Sequence, residues 1–187
     1  MRKRNLRFVG ILALAHIAAA GFMVALLYQI GTVTFARIPL AVRVVMCAVA
    51  AVVGIALDFR AVKRGTFSVG LHRQTAKTLS NGTGDTPGWV IALLWGLDTG
   101  LVWTTFRMSC ASWVLLLSSL LNVAPQWCGL AYGVFFGVPL IIGTLTGDPS
   151  AIGRPSRYML TRVTQGGGIS VLLLLPLGVL WSHFLVT

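Results

Sequence analysis

Long apolar runs separated by short basic stretches set the pattern of the chain. Phe8 to Ile30 carries no formal charge, His16 being its one titratable group near neutrality. An α-helix needs about 20 apolar residues to cross a hydrocarbon core, so this run predicts a spanning helix that ends at Gly31-Thr32. A polar turn with Arg37 follows, and Pro39 suits the first turn of a second helix, from about Pro39 to Leu57. Arg43, near its start, can reach the interface along its methylene stem. Asp58, Arg60, Lys63 and Arg64 mark the expected exit from the membrane. Residues 58–87 form the main hydrophilic loop, with Arg73, Lys77 and the breaker-rich Ser80-Asn81-Gly82-Thr83-Gly84-Asp85. A helical turn at the interface fits Leu71 to Leu79.

The third segment runs from Trp89 to Phe106 with Asp98 near its middle. A fourth, from about Cys110 to Leu121, is short for a span. Asn122 to Gln126, with Pro125, predicts a break before a fifth segment, Trp127 to Ile142, which contains Pro139. Gly143 to Gly168 is a second polar stretch, and its hydrophilic part, 147–167, carries Asp148, Arg154, Arg157 and Arg162. Ile169 to Val186 is the last apolar segment. No period-two alternation of the kind a membrane barrel needs is present, and backbone groups in lipid must pair internally. The expected fold is all-α: a polytopic integral membrane helix bundle of six apolar helical segments, making five or six crossings, in a single transmembrane domain over 1–187.

Composition strengthens this reading. Of 187 residues, 56% are hydrophobic and 10% charged, whereas a soluble domain carries about a quarter charged residues. Disorder, collagen and coiled coil are excluded on the same ground. The formal net charge of +11 comes from 15 basic residues against 4 acids, all Asp. No basic stretch is interleaved with aromatics as base stacking would need, so the expected partner is the anionic lipid of a bilayer and not nucleic acid.

Arg2, Lys3, Arg4 and Arg7 before an apolar run imitate a signal peptide, but the run is longer than the 7–15 apolar residues of such a segment. An uncleaved first helix with a cytoplasmic N-terminus, in a plasma (inner) membrane, is expected. With six crossings the cytoplasmic side holds nine basic residues against six, a weak bias. If the short fourth segment does not cross, the 147–167 loop moves inside and the balance becomes twelve against three, a better match to the positive-inside tendency. Arg73 to Gly84 before Trp89, and Arg157 to Gly168 before Ile169, can be read as two copies of a three-helix half in inverted orientation.

The stretch Trp95-Gly96-Leu97-Asp98-Thr99-Gly100 through Arg107-Met108-Ser109-Cys110 carries most of the candidate chemistry. An ionisable residue within a span is costly and normally has a partner. Asp98 and Arg107 are nine residues apart, about 13 Å on a straight helix, so Asp98 needs a partner from another segment: His16, Arg43 or a hydroxyl. It is either a proton- or cation-coupled site or an interhelical hydrogen-bonding group. Thr104, Thr105, Ser109 and Ser112 can satisfy a broken backbone between the third and fourth segments, where a substrate could bind. Gly96 and Gly100 form a small-xxx-small pair suited to close helix packing. His16 is either a proton relay or a neutral hydrogen-bonded residue.

Cys47, Cys110 and Cys128 lie in apolar runs without a CxxC pair, and the simplest reading is three small buried hydrophobes. A redox pair of Cys110 and Cys128 would require the fourth segment to fold back. Thiol carriers of the cytochrome-c-biogenesis type share a build of two sets of three helices, but their cysteine–proline motifs are missing: Ala111 follows Cys110 and Gly129 follows Cys128. No metal-ligand spacing and no cofactor motif is present.

The leading expectation is a small multi-pass transporter or channel with an intramembrane site made from Asp98, Arg107, Thr104, Thr105, Ser109 and His16. The alternatives are a membrane subunit or scaffold of a larger complex, and a transmembrane thiol–disulfide carrier using Cys110 and Cys128. An enzyme is not the expectation. A bundle this small has little room for a closed pathway, which points to a homo-oligomer or a partner membrane protein.

Overall fold

Two helices follow directly from uninterrupted apolar sequence. α1, Arg2–Thr34, has 33 residues, and α2, Leu40–Arg64, has 25. At about 1.5 Å per residue each exceeds a 30 Å hydrocarbon core, and both are apolar enough to cross a membrane. The computed structural model describes residues 2–64, 86–101, 109–146 and 168–169. Within them it adds α3, Gly88–Gly100, α4, Ala111–Leu120, and α5, Cys128–Thr146. No strand occurs among the described residues. Most of the 58–87 loop, all of the 147–167 loop and nearly all of the sixth segment lie outside them.

Prolines set two of the helix starts. Pro39 accepts from the backbone N–H groups of Val42 and Arg43, opening α2, and Pro87 accepts from Val90 and Ile91, opening α3. At these positions the missing proline N–H costs nothing. Two boundaries differ from expectation. α2 does not stop near Leu57 but continues through Asp58, Arg60, Lys63 and Arg64, because one face stays packed to Ala61. α3 stops at Gly100 and not at Phe106: Leu101 has an extended ψ of 93° and closes the helix by donating to Leu97 O.

The chain forms two compact units, with α1 contributing to both. The first comprises Met1–Leu26, Arg73–Thr105 and Gln126–Ile152. Its architecture is written in glycines on α3 and α5. A Cβ on Gly96 would meet Leu12 and Ala15 of α1, and one on Gly100 would meet His16, Ala19 and Ala20. The two series rise together, so α3 runs parallel to α1. On α5, Gly129 faces Ala20 and Val24, Gly133 faces Ile17, and Gly137 faces Ala13. Here the series run oppositely, so α5 is antiparallel to α1. Small residues at every fourth position let helix backbones approach closely, the usual route to tight packing where lipid offers no hydrophobic drive. The packing expected at Gly96 and Gly100 is therefore present, and α5 supplies a second stripe.

The second unit comprises Leu27–His72, Phe106–Pro125 and Gly153–Thr187. α2 buries Cys47, Ala51, Gly54, Asp58 and Ala61, a stripe repeating every three or four residues. α4 packs on it, with Ala51, Ala61, Cys110 and Val114 forming a core flanked by Ile55 and Ala111. The other faces of α2 present Val45, Val49, Val52, Val53 and Leu57, all exposed. α4 ends with Asn122 in the left-handed region at φ 53°. Asn122 N–H donates to Ser119 O, and Val123 N–H to Ser118 O, a Schellman closure with asparagine in place of the usual glycine.

Candidate functional site

Among the described residues, each unit encloses a cluster of buried polar groups. In the first unit it lies on α1, whose buried face runs through Leu12, Ala13, Ala15, His16, Ala19, Ala20, Met23 and Val24. His16 is the polar member of that face and is fully enclosed, at 0% exposure. The Gly96 and Gly100 contacts bring α3 close enough for Thr99 Oγ1 to lie 3.1 Å from His16 Nδ1. The same hydroxyl donates to Gly96 O at 3.0 Å. From α5, the Tyr132 ring lies beside the imidazole, with centroids 6.0 Å apart and planes tilted by 39°. Asp98 directly precedes Thr99 on α3 and is half-buried. An edge-on pair of Phe8 and Trp95, 6.4 Å between centroids, closes the N-terminal side of the α1–α3 contact.

In the second unit the cluster is built on Asp58, also at 0% exposure. Its Oδ2 accepts from Ser109 Oγ at 2.6 Å, and the Cys110 backbone N–H donates to Oδ1 at 2.9 Å and to Oδ2 at 3.1 Å. Ser109 Oγ in turn accepts from Ala111 N–H at 3.1 Å. Gly168 packs against Ser109, so that a Cβ there would collide with its hydroxyl and stand 3.7 Å from Asp58 Oδ2. A carboxylate thus sits where α4 begins, against the positive end of its dipole.

Arg43, also on α2, serves the opposite end of α4. Its Nη1 donates to Leu121 O at 3.0 Å, the favourable sign for a helix C-terminus. Nearby, Asn122 Nδ2 donates to Tyr28 O at 2.8 Å. Arg43 and Asp58 are about 22 Å apart along α2 at 1.5 Å per residue, and α4 lies antiparallel between them. One membrane-length helix therefore supplies opposite charges to both ends of a short one.

Of the residues expected to form a site, His16 and Asp98 fall in the first unit, where the structure gives His16 the Thr99 partner. Ser109 falls in the second, bound to Asp58, with Ser112 one turn on at 3.4 Å from Ser109 O. Thr104, Thr105 and Arg107 lie outside the described residues. Cys110 meets Asp58 through its backbone, its side chain being buried, and Cys128 is the half-buried first residue of α5. All three thiols are free. Among the described residues no group of three or more His, Cys or Asp side chains could hold a metal.

Asp58, Thr99 and Tyr132 were not among the expected site residues. Asp58 read as a loop charge because Arg60, Lys63 and Arg64 follow it. Its position on the stripe of Cys47, Ala51 and Gly54 was the signal that it is buried. Thr99 lay in the Trp95 to Gly100 stretch without being singled out, and Tyr132 carried no comparable signal. No protein-family model matches the chain, and no curated protein or solved structure matches it either.

Proposed function

We propose that the chain is a small multi-pass membrane protein that works as a transporter or channel, with its polar site on His16, Thr99 and Asp98. The membrane reading is supported by the apolar surface of the two long helices. Leu14 is 69% exposed, Phe22 64% and Val33 86% on α1, and Val52 is 64% exposed on α2. Such a surface is favourable in acyl chains and costly in water. The observation that carries the functional reading is His16, a titratable ring fully enclosed at the centre of a helix long enough to span. Ionisable groups at that depth are expensive and mark ion pathways, proton relays or substrate sites by default.

The topology that goes with this reading has five crossings. α3 runs with α1 and α5 runs against it. If α4 were a complete crossing of its own, α5 would return parallel to α3. α4 is 10 residues long, about half a hydrocarbon core, and both of its ends are paired by α2. The 147–167 stretch then falls on the side of the N-terminus, in the cytoplasm, and twelve of the 15 basic residues share that side with anionic lipid.

The test is flux. In proteoliposomes carrying the purified chain, an imposed proton gradient should dissipate faster than in empty vesicles, and His16→Gln and Asp98→Asn should each remove the excess. Both variants should retain the gel-filtration profile and melting behaviour of the wild type. Unchanged flux in both would dismiss the site. Absence of wild-type flux, with stable co-purification of a second membrane protein, would make the chain a subunit instead.

A further inference from the structure

Arg43 is the cation of α2 that the fold turns inward, whereas Arg60, Lys63 and Arg64 are exposed. A side chain this close to a helix start can reach outward to the interface. Instead its guanidinium is fixed against the end of α4, where Nη1 donates to Leu121 O at 3.0 Å. That end is itself anchored. Gly31 of α1 lies so close to Leu120 O that a Cβ there would collide with it, and Asn122 Nδ2 is tied to Tyr28 O at 2.8 Å. Among the described residues the Nη1 bond is the one hydrogen bond of the Arg43 side chain. Nε is buried without an acceptor, and Nη2 is neither bonded nor enclosed.

Nε–H and the adjacent Nη2–H form one edge of the planar guanidinium, two parallel donors that match two oxygens of a phosphate or carboxylate. The Nη1 side is engaged by α4, and this edge is not. Its charge is also unmet. Asp58 is the one acidic side chain in the unit of Arg43, and it is engaged by Ser109 and Cys110, about 22 Å away along α2. The C-terminal end of α4 offers about half a negative charge, so a net positive charge remains beside an enclosed donor. A buried N–H without an acceptor is costly, and so is an uncompensated cation within a span. An oxyanion offsets both costs. It approaches over Nη2, the accessible atom of the pair, and closing on Nε requires the groups that now cover it to give way.

The surroundings say which oxyanion fits. Arg43 is the fourth residue of α2, about 5 Å from its start, so the seat lies at one end of a membrane-length helix. From it Met46, Val49 and Val53 lead toward the middle of the helix at spacings of three and four, and they are 41%, 58% and 52% exposed. A ligand with its charge at Arg43 therefore has an apolar row for hydrocarbon beside it. Arg37, exposed in the turn before α2, adds a second cation at the same end, which favours a lipid of net negative charge over a zwitterionic one. We propose that Arg43 binds the phosphate of an anionic phospholipid through Nε–H and Nη2–H, with the acyl chains along Met46, Val49 and Val53. From the preceding reading this needs only that α2 lies in a membrane, and it is independent of whether the chain moves a solute.

The experiment is native mass spectrometry of the full chain, released from nonionic detergent micelles that contain equal amounts of phosphatidylglycerol and phosphatidylcholine with matched oleoyl chains. The wild type should retain phosphatidylglycerol in preference to phosphatidylcholine, and an excess of inorganic phosphate should not displace it. Arg43→Gln should lower that occupancy about tenfold, the effect of one charge-assisted contact. Arg43→Lys keeps a donor for Leu121 O but has no two-donor edge, and should lower it several-fold with an unchanged circular dichroism spectrum. The lysine variant decides the matter if the glutamine variant does not fold. Arg64→Gln removes an exposed cation from the other end of the same helix and should leave the occupancy as in the wild type. Equal retention of the two lipids by the wild type overturns the proposal, as does undiminished retention in Arg43→Lys. Equal losses in Arg64→Gln and Arg43→Gln also overturn it, because general charge attraction then suffices. Displacement by inorganic phosphate overturns the lipid as occupant of the seat.

Discussion

Asp58 supplies to α4 what α4's own sequence lacks. The first turn of that helix contains no acidic residue, and Cys110 at its N-cap makes no side-chain capping bond. In water the free N–H groups would be hydrated, but in a hydrocarbon setting each must find a partner in the protein. Asp58 provides it from another helix and adds a negative charge at the positive end. Removing the carboxyl leaves the Cys110 N–H and the Ser109 hydroxyl without their acceptor. Asp58→Ala should therefore cost about 2–3 kcal/mol, read as a lowered unfolding midpoint in mixed micelles. Asp58→Asn keeps one carbonyl oxygen for the Cys110 N–H and loses the charge, and should cost about 1 kcal/mol. An Asp58→Ala protein as stable as the wild type would show that water, not the carboxyl, satisfies the start of α4. The sequence displayed Asp58 openly but disguised its role, because three basic residues follow within six positions. Only its register with Ala51 and Gly54 separates an interior carboxylate from a loop charge.

The helices themselves were largely legible, since long apolar runs leave little else for the backbone to do in lipid. Their ends were less so. The extension of α2 to Arg64 depends on a packed face that continues through Asp58 to Ala61, while Arg60, Lys63 and Arg64 lie off it. Helix direction was not legible at all, although the glycines that report it were in view. The first unit makes that dependence testable. A Cβ at Gly133 would lie 2.6 Å from the Ile17 Cα, a backbone atom that cannot step aside, whereas at Gly10 nothing lies within 4 Å. Gly133→Ala should push α5 off α1 and destabilise by about 1–3 kcal/mol, the range for overpacking a filled interior. Gly10→Ala adds the same methyl to the same helix bundle in open space and should be neutral or stabilise by up to about 1 kcal/mol through helix propensity. Equal effects of the two changes on the melting midpoint would mean that propensity, and not the α1–α5 contact, governs the outcome.

Crossing number is decided by the molecule as a whole, and five and six crossings differ in sign at every point after α4. With six, the chain returns to the cytoplasm after α4, so Gln126 is cytoplasmic and Ser150 external. With five, α4 is a half-length helix held at both ends by α2, Gln126 is external, Ser150 is cytoplasmic and the residues after α5 return across the membrane once. The proposed five-crossing pattern is supported by the opposed directions of α3 and α5 along α1 and by the distribution of basic residues. Single cysteines introduced as Thr34→Cys, Ser80→Cys, Gln126→Cys and Ser150→Cys, in a chain with Cys47, Cys110 and Cys128 changed to Ala, should label in two groups. An impermeant maleimide added outside intact cells should reach positions 34 and 126, and should reach 80 and 150 only after the membrane is opened. Positions 34 and 80 behave alike in both patterns and report that the chain has inserted. Labelling of position 150 from outside, with 126 protected, would give α4 a crossing of its own, and α5 would then have to run with α1 and not against it.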